Sequence, residues 1–372
     1  MGRGRFADAL ECFRRADALG ESGYMLRFGL GSALLETGEE AAAIAELNRA
    51  VALQPGHAWA RHSLGKAQYG LGLVDEAVAN FGAALDASDD AAHRSALATV
   101  IPGGPSATHV DVLATRRAFA EKDLPGPRFR SSAERAPGPL RVGYLSSFFA
   151  SPNWMKPVWG LVNQHDRAGF AVHLVSEATE EECAAAGYRP DPRDAFVMIR
   201  GLDNDEASER VAAAKLDLLV DLNGYSALRR LPLVAQRPAP IIVGWFNHYA
   251  TSGIAAYDYL IGDAVVVHPD EEADYTEKIA RVPGTYLTFD VAYPVPPVQE
   301  SPAHRNGYVT FGSFASQYKV TPQVVRAWAT ILEGAPHARL VIKNQTMRAD
   351  DTSAGGSQTS AKRCASGWPP RA

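Results

Sequence analysis

The sequence predicts three successive parts: helical repeats, a parallel doubly wound α/β domain, and the opening of a second, incomplete α/β domain. Three observations carry that prediction. Small and large apolar residues recur with a 34-residue period through the N-terminal part. From Leu140 short apolar runs alternate with helical stretches, and from Tyr308 the alternation resumes before losing its pattern after Asn344.

The repeats come first. Gly31, Gly38, Ala43, Leu47 and Ala50 reappear as Gly65, Gly72, Ala77, Phe81 and Ala84, and Leu30 pairs with Leu64. One period upstream stand Gly4, Ala9, Phe13 and Ala16, and Pro55 closes the middle unit. Small residues at such positions let the two helices of a hairpin approach closely, and the larger ones fill the gap between hairpins. The register resembles the tetratricopeptide repeat; unrelated alanine-rich helices would not keep it. The first unit holds only its second helix, so the sequence is expected to start inside a repeat. Gly29-Leu-Gly31-Ser-Ala-Leu34 follows no strand and its glycines fall on repeat positions, so it is not read as a phosphate loop.

Residues 1–98 are therefore assigned to repeats. Pro102-Gly-Gly-Pro105, Pro125-Gly-Pro127 and Pro137-Gly-Pro139 mark residues 99–139 as a linker with one helical patch over 110–121. The α/β domain spans 140–300. Strands are predicted at 140–145, 171–175, 195–199, 216–222, 240–246 and 257–262, with helices at 155–166, 204–214 and 227–236. Ligands of such sheets bind outside the carboxyl ends of the strands. Attention falls on Ser146-Ser147, on Asp221 to Tyr225 and on His248 to Gly253.

Residues 301–347 begin the second α/β domain. A strand is predicted over 308–314. Thr321-Pro322 reads as an N-cap followed by proline at the first helical position, and Val325, Trp328 and Leu332 keep helical spacing up to Gly334. Leu340-Val341-Ile342 is a second strand. One strand–helix–strand unit cannot bury a core of its own. Residues 348–372 have the composition of a disordered or out-of-frame tail.

Composition narrows the function. A formal net charge of −5 without a basic stretch argues against nucleic-acid binding. No apolar run approaches ~18 residues, so no membrane span is expected. The N-terminus lacks the apolar core of a signal peptide, which leaves a cytoplasmic setting as the default. Cys12, Cys183 and Cys364 lie far apart, which fits neither a disulfide framework nor a zinc site, and the histidines show no metal-ligand spacing.

Several segments together resemble the O-linked N-acetylglucosamine transferase and SPINDLY family. They are Leu140-Arg-Val-Gly-Tyr-Leu-Ser-Ser147, Asp217-Leu-Leu-Val-Asp-Leu-Asn-Gly-Tyr225, Arg237-Pro-Ala-Pro240 with Trp245, Thr251-Ser-Gly253, and Tyr257-Asp-Tyr-Leu-Ile-Gly-Asp263. Tyr275-Thr-Glu-Lys278, Val282-Pro283, Thr310-Phe-Gly-Ser-Phe314, Tyr318-Lys319 and Thr321-Pro322 continue the match, which covers roughly 140–347. The resemblance implies a GT-B-type enzyme with two Rossmann-like domains facing a cleft. It implies inverting transfer of a sugar from a nucleotide diphosphate, by default UDP-N-acetylglucosamine, to Ser or Thr of a protein selected by the repeats. No metal or other cofactor is implied. Little after Lys343 matches the family's donor-binding half, so transfer is expected to be impaired; the competing expectation is a non-catalytic adaptor that binds a protein partner.

The same resemblance nominates site residues. Lys319 matches a lysine that contacts the donor diphosphate, where a fixed cation would meet the growing charge of the leaving group; the alternative is an ordinary surface lysine. Ser316 and Gln317 precede it as donor contacts, and Ala315 replaces the usual Asn. In the loop after Ser147, Ser151 stands where relatives carry histidine and Phe148 where they carry an acid. Neither titrates near neutrality, so neither is a general base. Asp217 matches a position held by Asp or His, with a solvated acid as the alternative. His248 falls where relatives have Tyr, and it joins Thr251 as a candidate donor contact. Asp221 and Asn223 are candidates for holding their loop through bonds to backbone.

Overall fold

The computed structural model describes residues 3–129, 137–152, 154–289 and 294–343. The expected tail at 348–372 lies outside the described residues. The chain divides into two compact units. One holds the residues up to Ser88, Gly103–Pro105 and the segment from Pro296; the other holds Asp89–Pro102 and Ser106–Val295.

In the first unit, α1 (Arg3–Ala18) is the lone leading helix expected from the repeat register. α2 (Tyr24–Thr37) pairs with α3 (Glu40–Leu53), and α4 (Ala58–Gly70) with α5 (Val74–Ala87). Residues matched in sequence are also matched in contact. A Cβ on Gly31 would lie 2.5 Å from Cγ of Leu47, and one on Gly65 would lie 3.1 Å from the Phe81 ring. Each hairpin thus closes a glycine on its first helix over a large residue on its second. Ala43, Leu47, Ala50, Ala77, Phe81 and Ala84 are all buried. Gly38 ends α2 in the left-handed region, with φ of 81°, where a side chain would be strained.

The same unit contains α12 (Pro302–Asn306), β8 (Thr310–Ser313), α13 (Pro322–Gly334) and β9 (Arg339–Ile342), with β8 and β9 parallel. Thr321 caps α13 by accepting the Val324 N–H at 3.4 Å. Of the described residues beyond Ser301, only Val320 and Thr321 are buried. A single strand–helix–strand unit therefore encloses no core here. Tyr318 stacks on Tyr69 of α4 with ring centroids 5.1 Å apart.

The second unit begins earlier than the linker assignment. α6 (Ala91–Val100) and α7 (His109–Asp123) form a hairpin joined by Arg94, whose Nε and Nη2 donate to both oxygens of Asp123 at 2.6 and 2.7 Å. Ala98 and Phe119 lie in the core beside Leu145, Leu219 and Ile242. Residues 99–102 and 106–123 are therefore part of the α/β unit. The Pro-Gly clusters that suggested a linker flank this helix, which buries Val112, Arg116 and Phe119.

The sheet is built from β1 (Leu140–Ser146), β2 (Phe170–Ser176), β3 (Ala195–Met198), β4 (Leu218–Asp221), β5 (Ile241–Gly244), β6 (Tyr259–Gly262) and β7 (Lys278–Arg281). The strands run in the order β3-β2-β1-β4-β5-β6-β7, and every pairing is parallel. Helices α8 (Lys156–Val162), α9 (Glu180–Ala185), α10 (Asn204–Ala213) and α11 (Leu231–Ala235) lie between them in sequence. Tyr144, Val220 and Val243 pack with Trp159 in one core, while Leu145, Leu219 and Ile242 pack in the other. Both faces of the sheet are covered, as parallel strands require. The helix predicted over 227–236 is instead a 3-10 turn over Gly224–Arg230 followed by α11, with Ala227 non-helical at the break.

Candidate functional site

Strand order reverses between β1 and β4, so a crevice opens outside their carboxyl ends. The segments after β1, β4 and β5 border it. Asp221, the last residue of β4, is the hub of the middle segment. Its Oδ1 accepts the Asn223 N–H and its Oδ2 the Gly224 N–H, both at 3.0 Å. Oδ2 also accepts the Tyr257 hydroxyl at 2.6 Å and lies 3.2 Å from Nε2 of His248. Burial alone would raise the Asp221 carboxyl, but His248, the Tyr257 hydroxyl and the Asn223 N–H outweigh it and hold its pKa below the usual value. Burial, then the Asp221 charge, push the Tyr257 hydroxyl far up, so it stays a donor.

Two glycines make room for His248. A Cβ on Gly244 would lie 2.8 Å from Nδ1 of that ring, and one on Gly224 would lie 3.2 Å from Nε2. The imidazole packs edge-on to Tyr257 and is buried. It is engaged with the Asp221 hub.

Between β5 and His248 the chain turns at Phe246, which holds a left-handed φ of 69° without being glycine. Such strain persists only where surrounding bonds over-determine it. Here the next residue, Asn247, donates its Nδ2–H to the Leu222 carbonyl at 2.6 Å and accepts the Trp154 indole N–H on Oδ1 at 3.0 Å. Trp154 in turn stacks on Phe148, with centroids 4.7 Å apart and planes 4° from parallel. Asn223 joins the third edge by accepting the Ser147 N–H at 2.8 Å. The three segments are thus tied together by side-chain amides.

Thr251 is held from two directions. Its hydroxyl donates to Glu277 at 2.8 Å and accepts the Thr276 N–H at 3.0 Å, and its carbonyl accepts Nη1 of Arg116 at 2.7 Å. Ser252 donates its N–H to Glu277 at 2.7 Å and its carbonyl accepts the Tyr225 hydroxyl at 2.9 Å. The Arg116 guanidinium lies 3.8 Å over the Tyr225 ring and donates Nε–H to the Ala98 carbonyl at 2.9 Å. With its hydroxyl engaged inside this latch, Thr251 holds the segment in place.

Asp217 stands apart from these segments. It precedes β4 at the amino end of the strand, opposite the crevice. It accepts the Arg141 N–H and Nη2–H, both at 2.8 Å, so its role is to join the starts of β1 and β4. Ser151 does stand at the crevice edge, in a turn where its N–H donates to the Phe148 carbonyl at 2.8 Å. Ser316, Gln317 and Lys319 share one turn of the first unit, directly before the cap of α13; Ser316 and Lys319 are exposed and Gln317 is half-buried. Among the described residues no three His, Cys, Asp or Glu side chains cluster to hold a metal ion. Trp154, Asn247, Glu277 and Arg116 were given no role from the sequence; Arg116 was hidden by the linker assignment, and Glu277 stood only as part of the segment Tyr275-Thr-Glu-Lys278.

A repeat unit and a doubly wound α/β unit with a crevice at its switch point define the class: a helical-repeat protein bearing a Rossmann-like α/β domain. Residues 121–303 match the sequence profile of glycosyl transferase family 41, and residues 1–58 match that of the tetratricopeptide repeat. A protein of Arabidopsis thaliana named as a probable UDP-N-acetylglucosamine–peptide N-acetylglucosaminyltransferase SPINDLY is 32% identical over 208 residues, 55% of this chain and 23% of its own. The tomato (Solanum lycopersicum) protein of that name is 31% identical over 208 residues, 55% of this chain and 22% of its own. A solved mutant of the Thermobaculum terrenum O-GlcNAc transferase superposes with a TM-score of 0.68 at 26% identity, covering 92% of this chain and 66% of that one. Over its α/β unit the chain is similar to the O-linked N-acetylglucosamine transferase and SPINDLY proteins. It spans less than a quarter of the length of the curated relatives it matches.

Proposed function

We propose that this chain serves protein O-glycosylation: transfer of a sugar, by default N-acetylglucosamine from UDP-N-acetylglucosamine, to a Ser or Thr hydroxyl of a protein presented by the repeats. The observation that carries this is the family 41 match over the very unit that bears the crevice. In an inverting transfer the acceptor oxygen attacks the anomeric carbon as the diphosphate leaves from the other side. Lys319, with Ser316 and Gln317 on its turn, is proposed to meet the charge of that leaving group without a metal ion. No helix among the described residues is long and apolar enough to cross a membrane.

One observation favours a second reading. The segment from Ser147 to Trp154 contains no acid, histidine or other group that titrates near neutrality, so it offers no general base. A protein that binds partners through its repeats, with the α/β unit as scaffold, would carry such a segment without loss.

Intact-mass measurement of a Ser/Thr-rich peptide incubated with the chain and UDP-N-acetylglucosamine, with and without a chelator, separates the two. Transfer that survives chelation and falls at least tenfold in Lys319→Met supports the proposal, on the scale of ~10²–10³ for removing one charge-stabilising donor. A folded chain that binds the peptide and transfers no sugar supports the scaffold.

A further inference from the structure

We propose that Trp154 is a stacking platform for a pyranose ring, which deepens the transferase reading by naming what one part of its crevice holds. The indole is 45% exposed, yet it is held in place at two points. Phe148 covers one face in a parallel stack, and Asn247 accepts the ring N–H. With the N–H spent inside the protein, what is left for a ligand is a π-face. A π-face carries negative potential and attracts the C–H bonds on one side of a sugar ring, whose hydroxyls point outward around it.

Hydroxyl partners stand in the same network. Ser147, next to Phe148, leaves its hydroxyl oxygen buried without a partner, and Asn223, which binds the Ser147 N–H, leaves Nδ2 buried without one. Asn223 is 1% exposed. An orphaned amide donor in so enclosed a place costs about 1–3 kcal/mol unless a ligand or water meets it. A flat aromatic face combined with unspent hydroxyl and amide groups suits a ring that is apolar on one side and hydroxylated at its rim. It does not suit a proline-rich peptide, which brings apolar rings but few hydroxyls.

The experiment follows the six indole N–H signals of the full chain by NMR, with Trp154→Phe identifying the one from Trp154. Methyl N-acetyl-β-glucosaminide is the first probe; UDP-N-acetylglucosamine and UDP alone are the others. The Trp154 signal is expected to shift saturably with the glycoside; affinity, read in every variant from the broadening of the glycoside's own N-acetyl methyl signal, is expected to fall about tenfold in Trp154→Ala but to stay within about threefold in Trp154→Tyr. A shift with UDP-N-acetylglucosamine but not UDP assigns the ring to the donor; a shift with the glycoside alone assigns it to a sugar already attached to a protein. An unmoved Trp154 signal, or unchanged affinity in a folded Trp154→Ala chain, overturns the platform. Sugar binding is read without transfer, so failure of the transferase reading leaves this result standing, and active transfer unaffected by Trp154→Ala would reject the platform alone.

Discussion

Trp154 and Asn247 lie 93 residues apart and meet through one 3.0 Å hydrogen bond, which spans the segment after β4 and ties the segment after β1 to that after β5. Asn247→Ala removes this bond and the one to the Leu222 carbonyl. The expected loss is about 1 kcal/mol of stability, because the indole is partly solvated and can bind water instead. Faster decay of tryptophan fluorescence anisotropy should accompany it. An unchanged decay would show that the Phe148 stack alone fixes the ring.

Asp221 links stability to pH. Its pKa is lowered in the fold, so its contribution is present above its ordinary value of 3.8 and disappears as pH falls through the lowered one. Asp221→Asn should destabilise the second unit by about 3 kcal/mol at neutral pH, since an amide cannot accept all the donors arrayed around the carboxylate. The gap between variant and parent should narrow below about pH 3.8. Thermal melts across that range check both the size and the sign. A gap that widens in acid would mean the carboxyl is protonated in the native state.

Arg116 is buried, has no carboxylate within ion-pair distance among the described residues, and spends two donors on carbonyls. Arg116→Lys keeps the charge but loses the planar fork that reaches Ala98 and Thr251 together. Its expected loss is about 2–3 kcal/mol, read by urea unfolding. Hydrogen exchange should quicken at the Ser252 and Gly253 amides. Protection there as strong as in the parent chain would show that Glu277 holds the segment unaided.

Gly65 and Phe81 form a coupled pair in the second hairpin. Phe81→Ala should cost about 3–5 kcal/mol as a cavity opens, and Gly65→Ala about 1–3 kcal/mol by overpacking. The double change should cost less than the sum, because the new methyl enters the vacated space. Strict additivity would place the two residues in separate environments.

Asp217 tests the division of roles in the α/β unit. Asp217→Ala breaks the Arg141 pair and should lower stability by about 1–2 kcal/mol. Any sugar transfer per folded molecule should be unchanged, because the pair lies at the amino ends of β1 and β4. A large fall in turnover at constant stability would return Asp217 to the chemistry.

The repeats were legible because glycine and its large partner are each conspicuous in sequence and repeat together. The strands of the α/β unit were legible as apolar runs, but β7, Lys278-Ile-Ala-Arg281, has too little apolar character to stand out. Helix α9 was missed although Thr179 and Glu182 form a capping box; six residues are too few to show periodicity. The site was legible only as segments. Position after a strand says which loops meet, but whether His248 faces the crevice or the Asp221 carboxylate depends on the missing side chains of Gly244 and Gly224. The Trp154–Asn247 bond depends on the left-handed turn at Phe246, which no residue preference announces.

The burial of α7 also decides where this chain can be spliced. A joint at Leu140, where the first strand begins, would strip the Tyr225 ring of its cation and leave the Thr251 carbonyl facing nothing. A joint at Ser88 would carry Arg94, Arg116 and Phe119 along with the sheet they serve. Exchange of repeats between proteins of this kind is therefore permitted upstream of α6 and forbidden between α6 and β1. The last two helices before the sheet are inherited with the crevice.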